Sequence, residues 1–143
     1  MYLDDISTST TFDIPPVVID REQMMAFARQ YDPLPLHLDE DYAKNTQFGG
    51  LIAPGVMSFM TVWAKYLEID PFRDELIAGK STKIEWFRPV YPGDTLKGTV
   101  RVTNITRRNA YNGIAELTMD VYNQHGQRVL SDVTECIVKY RPL

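Results

Sequence analysis

Two titratable side chains stand five positions apart in a proline-stiffened stretch, Asp32 and His37 in Tyr31-Asp32-Pro33-Leu34-Pro35-Leu36-His37. Imidazole has the unperturbed pKa nearest neutrality, and a carboxylate beside it can orient it or share in moving a proton. Fully extended, five residues would span roughly 16 Å, so the pair can converge on one small group only if the chain bends. Pro33 and Pro35 fix their own φ and push Asp32 and Leu34 out of the α region. A turn with Pro33 at its second position is favoured, and a helix here is disfavoured. The expected result is a rigid curved loop with an acid at one end and an imidazole at the other. The same residue types also serve plainer ends: an Asp before Pro forms turns and caps, and a His can be a surface residue or a satisfied core residue.

The elements around the loop are legible from pattern. Residues 10 to 19 read as an irregular first strand, with Pro15-Pro16 placing it at an edge or a bulge. Asp20 caps a helix, with Gln23 completing a capping-box pattern; Met24, Phe27 and Ala28 share a face, and the helix stops near Tyr31, before Pro33. Asp39 caps a second short helix through Tyr42 and Ala43 to about Asn45, and Phe48-Gly49-Gly50 allows a tight backbone path. From Gly55 to about Ile69, Val56, Met57, Phe59, Met60, Val62, Trp63, Tyr66 and Leu67 cover nearly the whole circumference, which predicts a helix buried on most sides. The second half supplies a sheet to wrap it. Strands are expected at Lys83–Val90, at Leu96–Thr103, from Ala115 to Val121 after a hairpin loop, and from Val129 to Tyr140 after a turn at Gln124-His125-Gly126. A long helix followed by antiparallel strands is an α+β pattern.

The stretch Asp32-Pro33-Leu34-Pro35-Leu36-His37, five residues, Ala43, and then Phe48-Gly49-Gly50-Leu51-Ile52-Ala53-Pro54-Gly55 resembles the signature of the MaoC-like family. Its members are hotdog-fold (R)-specific enoyl-CoA hydratases and acyl dehydratases, with Asp-x-Asn-Pro-(Ile/Leu)-His, five residues, Ala or Ser, then Phe-Gly-x-x-Ile-Ala-His-Gly. Asp, Pro, His and Ala match at their spacing, as do the Phe-Gly and Ile-Ala elements, and a looser likeness continues along the chain. The departures are specific. Tyr31 stands where the family has a small residue, and the approach from Phe27 is one residue shorter. Leu34 replaces the family's Asn, or the Gln of a related group whose Tyr-Asp-Pro-Gln-Pro-Phe-His is nearer still. Pro54 replaces a His.

At 143 residues, the expectation is one domain, 1–143, with the hotdog fold that the resemblance implies: an antiparallel sheet around a long central helix. A net charge of -4 with scattered basic residues gives no reason to expect nucleic acid. The acidic, polar N-terminus has no signal-peptide pattern, and the longest apolar stretch is interrupted by Lys65, so neither secretion nor membrane insertion is expected and a cytoplasmic location is the default. Cys136 lies in an apolar strand pattern and reads as a buried small residue; His125 reads as a turn residue.

What the resemblance implies is reversible addition of water to the double bond of a 2-enoyl-CoA thioester. Asp32 would be the base, and His37 would place the water and share the proton. The N-terminus of the apolar helix at Gly55 would supply a backbone N–H to the enolate-like oxygen, and Pro54 cannot because it has no N–H. Leu34, Met57, Met60 and Trp63 are candidates for the acyl pocket. No metal-binding or phosphate-loop motif is present, and the chemistry needs no cofactor beyond the thioester carrier. Lys83, Arg88 and Arg101 are read as surface charges. Open sheet edges lead to the expectation of a homodimer or higher homo-oligomer. Two other readings stay open: a non-catalytic acyl or small-molecule binder, in keeping with the polar groups lost at Leu34 and Pro54, and a thioesterase, for which Glu68 lies at the wrong end of the helix.

Overall fold

The computed structural model describes residues 1–143. Five strands form one antiparallel sheet: β1 (Thr11–Val18), β2 (Leu76–Trp86), β3 (Thr95–Arg107), β4 (Asn112–Tyr122) and β5 (Arg128–Lys139), in the order β1-β3-β4-β5-β2. Four helices lie between the first two strands: α1 (Arg21–Tyr31), α2 (Pro35–Leu38), α3 (Glu40–Lys44) and α4 (Gly55–Ile69). The long α4 packs on the inner face of the sheet, which is the hotdog arrangement.

Alternation builds that inner face. Leu96, Val100 and Val102 of β3, Ala115, Leu117, Met119 and Val121 of β4, and Leu130, Cys136 and Val138 of β5 are buried, and their neighbours along each strand are more open. Met57, Phe59, Val62 and Tyr66 of α4 close the core from the other side. Burial pushes the Cys136 thiol up to about 11, so it stays protonated and packs as a small apolar residue. The Tyr66 hydroxyl is the one buried side-chain polar atom without a hydrogen-bond partner.

Three expectations change. The strand expected at Lys83–Val90 is β2, which starts at Leu76 and ends at Trp86. Its first half, with Ala78, Gly79, Lys80 and Ser81, has no apolar alternation to read; pairing with β5 makes it a strand, with register shifts between Leu76 and Ala78 and between Gly79 and Ser81. Next, α4 is not covered all round within one chain. Val56, Met60 and Leu67 are exposed, because β2 lies at the edge and the sheet stops short of that flank. Finally, the segment carrying His37 is helical, as described below.

The other elements lie where pattern put them. The Asp20 carboxylate accepts the Gln23 backbone N–H at the start of α1, and Asp39 accepts that of Tyr42 at the start of α3. Pro15 and Pro16 fall in the register shift between Ile14 and Val17, at the β1 edge. Asp70, in the left-handed conformation with φ 42°, ends α4 just before Pro71.

Candidate active site

The chain leaves α1 at Asp32 and turns at once. Leu34 N–H donates to the Asp32 carbonyl at 2.7 Å, closing a three-residue turn centred on Pro33. One turn of helix follows, with Pro35 at its first position, so His37 sits on α2 and not on an irregular loop. Proline is tolerated there because a first-turn N–H has no intrahelical partner to lose. Asp32 at the end of one helix and His37 inside the next therefore face each other: His37 Nε2 lies 3.2 Å from Asp32 Oδ2. The histidine is buried, whereas 40 % of the Asp32 side chain is open to solvent.

Backbone fixes the imidazole. His37 Nδ1 is 2.7 Å from the Ile52 carbonyl, which can only accept, so Nδ1 carries a proton and donates it. Nε2 is then the nitrogen that exchanges protons. In neutral imidazole its lone pair would face a carboxylate oxygen, so the contact is favourable when one proton lies between them. Ile52 is itself held by donating its N–H to the Leu36 carbonyl at 3.4 Å. Two further bonds anchor the approach to α4: Ala53 N–H to the Val90 carbonyl at 2.7 Å, and the Tyr91 hydroxyl to the Phe48 carbonyl at 2.8 Å. Gly49, at φ +69°, makes the turn that this path requires.

Asp32 and His37 open onto a cavity of about 530 Å³. Gly55, Val56 and Ser58 of α4 form one wall, and Trp86, Phe87 and Arg88 form another. The backbone N–H groups of Gly55, Val56 and Met57 have no acceptor in the chain, as expected of a helix start with no side-chain cap. Gly55 also allows a close approach, since a Cβ there would lie 2.5 Å from Trp86 Cε2. The wall thus joins positive helix-end dipoles to a flat aromatic face, with the acid–imidazole pair at the cavity edge.

The structure brings Asp32, His37 and Gly55 to one cavity and leaves the acyl-pocket candidates outside it. Leu34 caps α2 and is half exposed, Met57 is buried in the core, and Met60 and Trp63 line a separate hollow further along α4. Glu68, in the last turn of α4, forms an exposed pair with Lys65 and lies far along the helix from Gly55. Sequence reading missed the Trp86–Val90 wall. Its one signal was an aromatic pair followed by Arg88-Pro89, read as a strand end. Ser58, a buried polar residue three positions into an apolar helix, was passed over too. Lys83 and Arg101 pair with Glu85 and Asp120, but Arg88 has no carboxylate partner. No cluster of three or more His, Cys, Asp or Glu side chains is placed to hold a metal ion, and no helix is long and apolar enough to cross a membrane.

A model of the MaoC like domain matches residues 6–123. The chain is 27% identical over 140 residues to the uncharacterized protein YdeM of Bacillus subtilis (strain 168), covering 97% of this chain and 99% of that one. It is 28% identical over 104 residues to an (R)-specific enoyl-CoA hydratase of Rhodospirillum rubrum, covering 73% of this chain and 71% of the relative. The crystal structure of a MaoC-like dehydratase from Rhodospirillum rubrum superposes with a TM-score of 0.90 at 31% identity, covering 100% of this chain and 99% of that chain.

Proposed function

We propose that this chain, which belongs to the MaoC-like dehydratase family, hydrates 2-enoyl-CoA thioesters and dehydrates the corresponding 3-hydroxyacyl-CoA. The observation that carries the reading is the 3.2 Å contact of His37 Nε2 with Asp32 Oδ2 at the edge of a cavity whose wall is the unpartnered start of α4. Water in the cavity beside the pair gives a proton to Asp32 as its oxygen bonds to C3. The π electrons move toward the thioester carbonyl, and the enolate-like oxygen is met by Gly55 N–H and the helix dipole. A proton passes from the Asp32–His37 pair to C2, and the pair returns to its starting state. Water is thus added across one C=C bond, with no redox change. The acyl chain lies along α4, and Arg88 at the mouth meets an anion on the carrier.

The chain acts as a single domain and as a homodimer. β2 is an edge strand of 11 residues without proline, its outer backbone groups unpaired, beside the exposed Val56, Met60 and Leu67. A second copy pairing along β2 covers both.

The test follows the enoyl absorbance of short and medium 2-enoyl-CoA substrates together with free thiol. Loss of absorbance without thiol release supports the hydratase. Thiol release would make the protein a thioesterase. Binding without turnover would make it an acyl binder, the reading favoured by the polar groups lost at Leu34 and Pro54.

A further inference from the structure

One side chain at the reaction cavity has a donor that the chain itself leaves unused. Trp86, the last residue of β2, stands opposite Leu130 of β5, and its ring lies against the start of α4. His37 and Ser58, also at the cavity, each have a backbone carbonyl as partner. The Trp86 indole N–H has none. Indole nitrogen can only donate, so its acceptor must come from outside the chain. Trp86 is 48 % exposed, which leaves solvent as that acceptor while the cavity holds no substrate.

Gly55 sets where this N–H lies. A Cβ at Gly55 would be 2.6 Å from Trp86 Nε1 and 2.5 Å from Cε2. Covalent geometry holds a residue's Cβ about 2.5 Å from its own amide nitrogen. The Gly55 and Trp86 nitrogens are therefore no more than about 5 Å apart. Two N–H donors that each lie about 2.9 Å from one oxygen can be up to roughly 5.8 Å apart. Both nitrogens thus come within reach of a single oxygen at the wall of the cavity onto which Asp32 and His37 open. They belong to different elements, one at the first residue of a helix and the other at the last residue of a strand.

We propose that the Trp86 indole N–H is a second donor to the thioester oxygen, working beside the Gly55 N–H as negative charge builds there. The proposal rests on the hydratase reading for the position of the thioester. As water adds at C3, the C2=C3 π pair shifts toward C1 and the carbonyl pair moves onto oxygen; protonation at C2 then returns both. The oxygen passes from a neutral acceptor to an anionic one, and hydrogen bonds to it strengthen. No proton leaves the indole at any stage. Its N–H is solvated in the free protein, so the gain over water comes in the transition state more than in the bound substrate, which places the effect on kcat. Gly55 has a second purpose in this arrangement, since without a side chain it lets the indole edge approach the oxyanion position.

Trp86→Phe keeps an aromatic wall and removes the N–H. With a short 2-enoyl-CoA, the variant, checked by thermal melting, should lose about tenfold or more in kcat while KM stays within about twofold of wild type. An unchanged kcat, with or without a rise in KM, overturns the proposal and leaves the hydratase reading standing. A spectroscopic measurement on the wild type decides the matter even where that variant fails to fold. The two tryptophans, Trp63 and Trp86, give two indole signals in a ¹H–¹⁵N spectrum, told apart by the one lost in Trp63→Phe or in Trp86→Phe. Butanoyl-CoA has the thioester carbonyl, and S-butyl-CoA is the same chain without it. A downfield shift of the Trp86 indole proton with the first and not the second supports the proposal; equal shifts, or none, overturn it. If the wild type does not turn over 2-enoyl-CoA, the hydratase reading fails, and this comparison decides the donor separately.

Discussion

His37 cannot act through both nitrogens, because the Ile52 carbonyl occupies Nδ1 and leaves Nε2 for Asp32 and the reacting water. The two residues therefore work as one proton-holding unit, and each should be costly to lose. Asp32→Asn keeps size and most hydrogen bonding but cannot accept a proton, so turnover should fall about 100-fold or more with little change in substrate binding. A folded Asp32→Asn variant with wild-type turnover would reduce the acid to a turn former. His37→Ala should also lose rate, and in addition it leaves the half-buried Ile52 carbonyl without its imidazole partner. Steady-state kinetics beside a melting curve separates the two effects, since only this second variant should show a clear loss of stability.

At the scale of elements, the start of α4 depends on the space left by one absent Cβ. Gly55→Ala drives a methyl carbon to 2.5 Å from the Trp86 ring, so the ring or the start of the helix must move. Overpacking of this kind costs about 1–3 kcal/mol. It also moves the Gly55 N–H away from the place where an oxyanion would form. Melting temperature and kcat should fall together, and adding Trp86→Leu, which makes room, should recover the melting temperature. Failure of that second substitution to restore any stability would show that the glycine serves another purpose. The β2–β5 pair carries its own signature in Asp132. A carboxyl raised by burial keeps its proton in the folded state where the unfolded chain has already lost it. That favours folding at low pH, and the advantage fades as pH rises from the ordinary carboxyl range, near pH 4, through the folded value. Asp132→Asn has no such proton to lose. Urea midpoints of wild type and variant, compared across pH, should show the wild type losing ground to the variant as pH rises, and a constant difference would mean that Asp132 does not titrate in the folded protein.

For the whole molecule, the unsolved edge is β2. Its neighbour β5 satisfies one row of backbone groups, and nothing in the chain satisfies the other. The opposite edge, β1, is protected by Pro15 and Pro16 within a bulge, so the two edges are not equivalent and association should run through β2 alone. Sedimentation at micromolar protein should give the mass of two chains, near twice 16.4 kDa. Ile84→Pro, in the strand, would also damage the β5 ladder. An outward charge is the cleaner probe: Val56→Glu and Leu67→Glu, on the exposed flank of α4, should yield folded monomers, and a dimer that survives both places the interface elsewhere.

The sequence by itself determined the local parts. Proline, capping and glycine chemistry fixed where α1, α3 and α4 begin or end, because those constraints act within a few residues of the chain. The alternation in β3 and β4 was legible because each faces the core on one side and is more open on the other. Asp32, His37 and Gly55 could be singled out as candidates from type, spacing and family resemblance. Tertiary structure alone decided the rest. The first half of β2 has no pattern of its own, since an edge strand takes its conformation from β5. The helical turn that carries His37 was hidden by two prolines, one of which makes a turn while the other opens a helix. Trp86, Phe87 and Arg88 reach the cavity because β2 ends beside the start of α4, a meeting of residues about thirty positions apart. Asp132 looked like one polar residue in an alternating strand; only the register that sets Thr82 opposite Thr134 shows it as a buried acid held by two hydroxyls. Such contacts depend on which strands are neighbours, and that is decided by the burial of the whole sheet against α4 rather than by any local run of residues.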